Sequence, residues 1–191
     1  MSSPDTTDFD PKKRFRNRMM LLGLIALFLI PPVLAKLLLA FDVHPASTTN
    51  KGELLQPAVA LSDLNLQHAN GQPMAWHPAD RRWQAIVVAT PDCAAACAEL
   101  IAGLDKVWQM QGRHADRFGV LWFGDVPQGA QVFRNFVPMQ PKAELEQRLP
   151  NLPRSGPPAV YLVDPAGFAA LRYAPGFDLS DMYKDVHGML K

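Results

Sequence analysis

The sequence predicts an α/β domain, built on a mixed β-sheet with flanking helices and preceded by one transmembrane helix. Three observations support this fold class. Residues 19–41 form an apolar run that contains a single lysine. Residues 83–123 alternate between strand, helix and strand patterns, which favours parallel strands joined by a crossover helix. Residues 159–173 contain two strand patterns around a short turn, which requires an antiparallel pair, so we expect a mixed sheet.

The apolar run at residues 19–41 has the length of a membrane span, since a transmembrane helix needs roughly 20 such residues. Residues 1–18 precede it as a basic tail. The basic residues directly before the run are Lys12, Lys13, Arg14, Arg16 and Arg18. The positive-inside rule therefore places the N-terminus in the cytoplasm and the rest of the chain outside.

A cleaved signal peptide is the alternative to a retained anchor. The run is longer than the apolar region of an ordinary signal peptide, which favours the anchor. Asp5, Asp8 and Asp10 are atypical of a mitochondrial transit peptide, which is poor in acidic residues. We therefore expect a single-pass protein of a bacterial inner membrane with its domain in the periplasm.

The charge of the outer part excludes one class of partner. Residues 42–191 contain 13 of the 19 Lys and Arg residues and 15 of the 18 Asp and Glu residues, a net charge of −2. There is no basic cluster, so nucleic acid is not an expected partner. These residues are numerous enough to bury one core, and an extracytoplasmic location permits a disulfide.

The outer part divides into a tether and a domain. Residues 42–57 lack periodicity and are rich in turn-forming residues, so they are predicted to be a tether. Residues 58–191 form the predicted domain, which begins with a β-hairpin. In that hairpin a strand over Leu61–Gln67 and a return over residues 72–76 flank the turn signal Asn70-Gly71.

The rest of the domain alternates between helices and apolar strands. The predicted strands are residues 83–89, 118–123, 159–163 and 168–173, and the predicted helices are 94–111, 142–149 and 179–190. The connection at residues 124–141 is predicted to hold a short helix around Val132, Phe133 and Phe136. Its apolar residues, including Val137 and Met139, indicate either core packing or a docking surface for a membrane partner.

The two cysteines, Cys93 and Cys97, are the candidate functional residues. They lie at a predicted strand-to-helix turn, where the helix N-terminus favours a thiolate. Residues four apart share one helix face, with Cα atoms about 6 Å apart, which is within disulfide range. Asp92 directly precedes them and is predicted to cap the helix.

Three interpretations of the pair remain open. As a redox pair, Cys93 is the nucleophile and Cys97 the resolving thiol. As a metal site, two soft thiolates suit Cu(I), for which two ligands suffice. In the third interpretation, the pair is a structural disulfide, or a vestige on a scaffold that binds partners.

The order of elements, with cysteines at the first strand-to-helix turn, resembles the thioredoxin fold. The segment Asn70-Gly71-Gln72-Pro73 is similar to the leading hairpin of peroxiredoxin-like members. Residues 156–167, Gly-Pro-Pro-Ala-Val-Tyr-Leu-Val-Asp-Pro-Ala-Gly, resemble the family segment in which a cis-proline precedes a core strand. That resemblance implies that Pro158 is the cis-proline and a catalytic-site residue close to Cys93.

Within this fold, the Cys-x-x-x-Cys spacing and the N-terminal anchor resemble Sco-like proteins. The resemblance implies a role in cytochrome c oxidase assembly, copper as a cofactor bound by Cys93 and Cys97, and oxidase subunits or assembly factors as partners. Sco-like proteins also have a histidine shortly before the Tyr-Leu-Val-Asp strand, whereas residues 154–159 here contain none. The histidines are His44, His68, His77, His114 and His187. A non-catalytic scaffold and a general periplasmic thiol–disulfide oxidoreductase are the alternative functions.

Overall fold

The computed structural model describes residues 11–40 and 50–191, which belong to two compact units, Met1–Ser47 and Thr48–Lys191. In the first unit, helix α1 covers Pro11–Ala40. Its segment Phe15–Leu34 is 20 residues long and, with a mean hydropathy of 1.8, is long and apolar enough to cross a membrane. At 1.5 Å per residue that is about 30 Å, the thickness of a bilayer's hydrocarbon core. Residues 1–10 of the predicted tail at 1–18, residue 41, and residues 42–49 of the predicted tether at 42–57 lie outside the described residues.

The second unit contains one mixed sheet of six strands in the order β1-β6-β5-β2-β3-β4. The strands are β1 Glu53–Ala60, β2 Trp83–Val88, β3 Phe118–Phe123, β4 Phe136–Met139, β5 Val160–Val163 and β6 Phe168–Tyr173. Strands β2, β3 and β4 run parallel, and β5 pairs antiparallel with both β2 and β6. The predicted mixed sheet is confirmed.

Three α-helices accompany the sheet: α2 Ala94–Met110, α3 Ala143–Arg148 and α4 Leu179–Leu190. Short 3₁₀ helices cover Pro78–Asp80 and Gly112–Arg117. All six residues of β3 are buried, as expected of a strand covered on both faces. Helices α2 and α4 contribute Ile101, Leu104 and Val186 to one core, while α3 contributes Leu145 to the other.

The first strand corrects the predicted tether. Residues 53–57 begin β1, which pairs antiparallel with β6 and forms an edge of the sheet. The pairing places Glu53 opposite Arg172, and Arg172 donates a hydrogen bond to the Glu53 carboxylate at 2.9 Å. The prediction of a tether is therefore wrong for residues 53–57, because these residues pair with a distant strand that local periodicity does not reveal.

A buried carboxylate fixes the chain directly before β1. Asp185 of α4 is 7% exposed and accepts hydrogen bonds from the backbone amides of Lys51 and Gly52, at 2.8–3.0 Å. It also accepts one from the Tyr173 hydroxyl at 2.8 Å. We call these four residues the Asp185 cluster. Burial and the neighbouring carboxylate raise the pKa of Tyr173 well above its usual value.

The predicted leading hairpin is shorter than expected. Backbone bonds from Met74 to Leu66 and from His68 to Gln72 pair residues on either side of the Asn70-Gly71 turn. Residues 61–65 do not form a strand. Leu61, Leu64 and Leu66 are buried in the core on the α3 face of the sheet. The hairpin also bonds to β4, whose exposed edge it covers.

The connection at residues 124–141 contains a strand instead of the predicted short helix. Residues 136–139 form β4, with Phe136 opposite Val120 of β3. Phe136 and Met139 are buried, at 6% and 3% exposure. Because both side chains have apolar neighbours beside β3, pairing with that strand buries them better than an isolated helical turn would.

Candidate functional site

The turn between β2 and α2 holds both cysteines. Strand β2 ends at Val88, and Cys93 occupies the N-cap position of α2. The Cys93 amide donates to the Thr90 carbonyl at 3.3 Å, and the Cys97 amide donates to the Cys93 carbonyl at 2.6 Å. These bonds form the first turn of the helix and place both cysteines on one side of it.

Cys93 and Cys97 are joined by a disulfide, with Cα atoms 5.2 Å apart. Both residues are buried, at 5% and 0% exposure, and belong to the core under α2. Cys93 also lines a depression of about 290 Å³, whereas Cys97 does not. The other lining residues are Ala89, Thr90, Pro91, Ala94, Gly124, Asp125 and Pro127. A partner that enters the depression therefore reaches Cys93 first.

Pro158 precedes β5 and is buried beside the core. The prediction that it is a cis-proline is wrong, because Gln56–Pro57 is the cis peptide bond among the described residues. The chain turns instead at Gly156, whose φ of +71° lies in the left-handed region that favours glycine. The turn brings the chain into β5, where Val160 pairs with Val87.

Two side chains next to the disulfide bind the backbone of Gly156. The Thr90 hydroxyl donates to the Gly156 carbonyl, and the Gly156 amide donates to Asp92 Oδ1 at 2.9 Å. We call these three residues the Gly156 latch. The prediction that Asp92 caps α2 is wrong, since Cys93 occupies the N-cap position and no side chain caps the helix. Sequence reasoning missed Gly156, for which the only signal is a glycine before two prolines.

None of the described histidines lines the depression beside the disulfide. His68 and His77 line a separate cavity of about 300 Å³, with Trp76 and Arg82. His187 stacks on Tyr183 within α4. His114 accepts a hydrogen bond from Arg113, and His44 lies outside the described residues.

The donors at the pair do not fit the metal site that the Sco-like resemblance implies. Within residues 11–40 and 50–191, no three His, Cys, Asp or Glu side chains gather as a metal site would require. The two sulfurs are bonded to each other. A site with two cysteines and a histidine is therefore not formed by the described residues.

The aromatic residues of the connection pack against the core. Phe133 and Phe136 contact Trp108 and Trp122, with ring centroids 5.5 and 5.7 Å apart. Val132 is 55% exposed and extends this apolar segment to the surface. Packing therefore explains Phe136, while the docking surface for a membrane partner stays a prediction.

A family model described as "transmembrane-like, thioredoxin-like, C-terminal domain" matches residues 83–191, from the start of β2 to the last residue. The chain belongs to this family. The thioredoxin-like fold is thus confirmed, and the matched residues include Cys93, Cys97, the Gly156 latch and Pro158. No curated protein matches the sequence.

Solved structures of the same fold come from several protein classes. BsSco, a member of the Sco family of cytochrome c oxidase assembly proteins, is 13% identical with a TM-score of 0.53, covering 73% of this chain and 96% of that one. A SCO1/SenC family lipoprotein from Bacillus anthracis is 14% identical with a TM-score of 0.52, covering 72% and 99%. Trgpx in its apo form is 14% identical with a TM-score of 0.52, covering 69% and 95%. At these identities the likeness shows the fold alone.

Proposed function

We propose that this protein exchanges its Cys93–Cys97 disulfide with thiols of partner proteins, as a membrane-anchored factor on the periplasmic side of a bacterial inner membrane. The observation that carries the proposal is the disulfide itself, placed at a helix N-terminus with Cys93 lining an open depression. The helix N-terminus stabilises a thiolate in the reduced pair, which favours reversible exchange over a purely structural role.

The exchange proceeds in two balanced steps. A partner thiolate attacks Cys93 Sγ, the sulfur–sulfur bond breaks, and Cys97 leaves as a thiolate that takes a proton from solvent. A second partner thiolate then attacks the partner sulfur of the mixed disulfide and releases Cys93. The partner's two thiols are oxidised to a disulfide, and the Cys93–Cys97 pair is reduced.

The partners we propose are subunits or assembly factors of a respiratory oxidase. Support comes from the Cys-x-x-x-Cys spacing and the N-terminal apolar helix, together with a shared fold with BsSco, for which a disulfide switch is described. Copper has weaker support. Two thiolates suit Cu(I), but only the reduced pair supplies them, and among residues 11–40 and 50–191 no third ligand accompanies them. A scaffold that binds partners without using its cysteines is the competing function.

The test uses the full-length protein in detergent and in cells. Equilibration with thiol–disulfide buffers, read out by alkylation of free thiols, should give a reversible two-electron transition. In cells, Cys97→Ser should accumulate mixed disulfides through Cys93. Cys93→Ser should not, because Cys97 is fully buried and does not line the depression.

The same experiment separates the alternatives. A disulfide that strong reductants open only when the domain unfolds would refute the exchange function and favour a structural role. Full oxidase activity in a Cys93→Ser strain would remove the oxidase assignment while leaving the exchange chemistry intact. Stoichiometric Cu(I) binding by the reduced chain, lost in both serine variants, would support a copper function.

A further inference from the structure

The loop beside the disulfide offers no free backbone donor over three consecutive residues. The Gly156 amide is bonded to Asp92, and the Gly156 carbonyl accepts from Thr90. Pro157 and Pro158 have no N–H group. Asp92 is adjacent to Cys93 in the chain, so this donor-free loop lies directly beside the turn that holds the reactive sulfur.

The lining of the depression also contains residues without a backbone donor. Pro127 and Pro91 line it and also lack an N–H group. The Asp125 carbonyl accepts a hydrogen bond from Trp122 Nε1 at 3.1 Å. Pro91 and Pro127 therefore offer no backbone donor to a chain that enters the depression.

An extended polypeptide gains affinity when its backbone pairs with free N–H and C=O groups of the protein that binds it. Pairing with the loop that holds Gly156 would first require the Gly156 latch to open. We propose that Thr90 and Asp92 are specificity-determining residues, which hold both backbone groups of Gly156 and so favour exposed partner thiols that enter without backbone pairing to this loop. The proposal rests on the exchange function above and deepens it by naming the substrate class.

The test compares two thiols of the same intrinsic chemistry on the full-length protein. The probes are N-acetylcysteine amide and an unstructured peptide with one central cysteine. For each, the second-order rate constant for opening the disulfide is measured by quenching and alkylation. For the wild-type chain we expect the peptide to react no faster than the small thiol, after correction for the pKa of each.

Opening the latch should change the ratio of the peptide rate constant to the small-thiol rate constant. One backbone hydrogen bond contributes roughly 0.5–1.5 kcal/mol, which corresponds to a rate factor of about 2 to 10. Asp92→Ala frees the Gly156 amide and Thr90→Val frees its carbonyl. Each variant should therefore raise the peptide-to-small-thiol ratio by about 2- to 10-fold, because only the peptide has a backbone to pair.

Three control variants isolate the latch. Asp92→Asn removes the charge but keeps an oxygen that accepts from the Gly156 amide, and Thr90→Ser keeps the hydroxyl, so both should retain the wild-type ratio. Asp125→Ala removes a carboxylate that lines the depression but makes no bond to Gly156. It should change the two rate constants together and leave their ratio unchanged.

Two results would overturn the inference. One is a wild-type peptide rate well above that of the small thiol. The other is an unchanged ratio in Asp92→Ala and Thr90→Val when hydrogen exchange shows that the Gly156 amide is released in Asp92→Ala. If neither thiol opens the disulfide of the folded wild-type chain, the exchange function itself fails and the inference fails with it. That outcome is distinct from active exchange with an unchanged ratio.

Discussion

Replacing Asp185 by asparagine tests how the domain holds the chain that precedes β1. Asp185 is buried and accepts from two backbone amides and the Tyr173 hydroxyl. Oδ2 accepts from all three donors, whereas Oδ1 accepts only a second contact from the Lys51 amide, so an asparagine can keep each donor bonded to its oxygen but places an NH₂ group against the Lys51 amide. The substitution also removes the charge that strengthens the remaining bonds.

The magnitude follows from the number of bonds affected. A hydrogen bond to a charged group contributes roughly 1.5–3 kcal/mol and one between neutral groups roughly 0.5–1.5 kcal/mol, so loss of the charge weakens each of the three bonds by about 1 kcal/mol. Since asparagine retains part of the cluster, we expect Asp185→Asn to lower the free energy of unfolding by about 2–4 kcal/mol. With a urea m-value of about 2 kcal/mol/M, the midpoint should fall by about 1–2 M.

The assay is urea unfolding of the full-length protein in detergent, followed by tryptophan fluorescence. The matched control is Asp181→Asn in the same helix, which removes a surface ion pair with Lys184. Such a pair contributes about 0–1 kcal/mol. Hydrogen exchange should also show faster exchange of the Lys51 and Gly52 amides in Asp185→Asn alone. A midpoint shift no larger than that of Asp181→Asn would refute the reasoning.

Two further predictions concern glycine packing and a buried hydroxyl. Gly103→Ala should destabilise the domain by about 1–2 kcal/mol in urea unfolding, because its Cβ would lie 2.3 Å from Leu179 Cδ1. Gly188→Ala in α4, whose Cβ meets nothing within 4 Å, should instead stabilise slightly, and equal effects would contradict the packing argument. Because the pKa of Tyr173 is raised in the folded state, folding favours its neutral hydroxyl. The stability contributed by this hydroxyl is fully present below pH 10, the usual tyrosine pKa, and is lost as the pH rises further. Between pH 10 and 11 the stability of the wild type should therefore fall by about 1 kcal/mol more than that of Tyr173→Phe, and parallel pH profiles would show that Tyr173 does not cause the loss.

Central elements of this fold are predictable from the sequence because their signals are local. Strand β3 is a continuous apolar run, and α2 has apolar residues at a helical spacing that its buried face confirms. The turn Asp164-Pro165-Ala166-Gly167 places β5 and β6 side by side. Each of these patterns is complete within about twenty residues.

The two edge strands escape the same reasoning. In β1 only Leu55 is buried, and Pro57 interrupts the pattern, so neither alternation nor a continuous apolar run is visible. Strand β4 has four residues and contains Pro138. Both strands exist because a distant strand supplies their partner groups, which local periodicity does not show.

The candidate site also combines a feature that local sequence predicts with one that depends on distant residues. The disulfide joins residues four apart, and the sequence predicts that they share a helix face. The latch joins Thr90 and Asp92 to Gly156, which is 66 and 64 residues away. Asp92 has an oxygen suited to either an N-cap or a distant amide, and only the folded arrangement of β2 beside β5 selects the second.

The disulfide is a local feature and the latch is a long-range one, so the two can change independently among proteins of the same fold. Residues 154–158 lie far from the cysteines in sequence, so under our proposal we expect substitutions there to change access to Cys93 while the disulfide and the first turn of α2 are retained. The chemistry of the pair follows from its local position at a helix N-terminus. We expect the partner that reaches the pair to depend on which backbone groups of the neighbouring loop are free. Cysteine spacing alone therefore predicts thiol chemistry here but does not predict the class of thiol that the site admits.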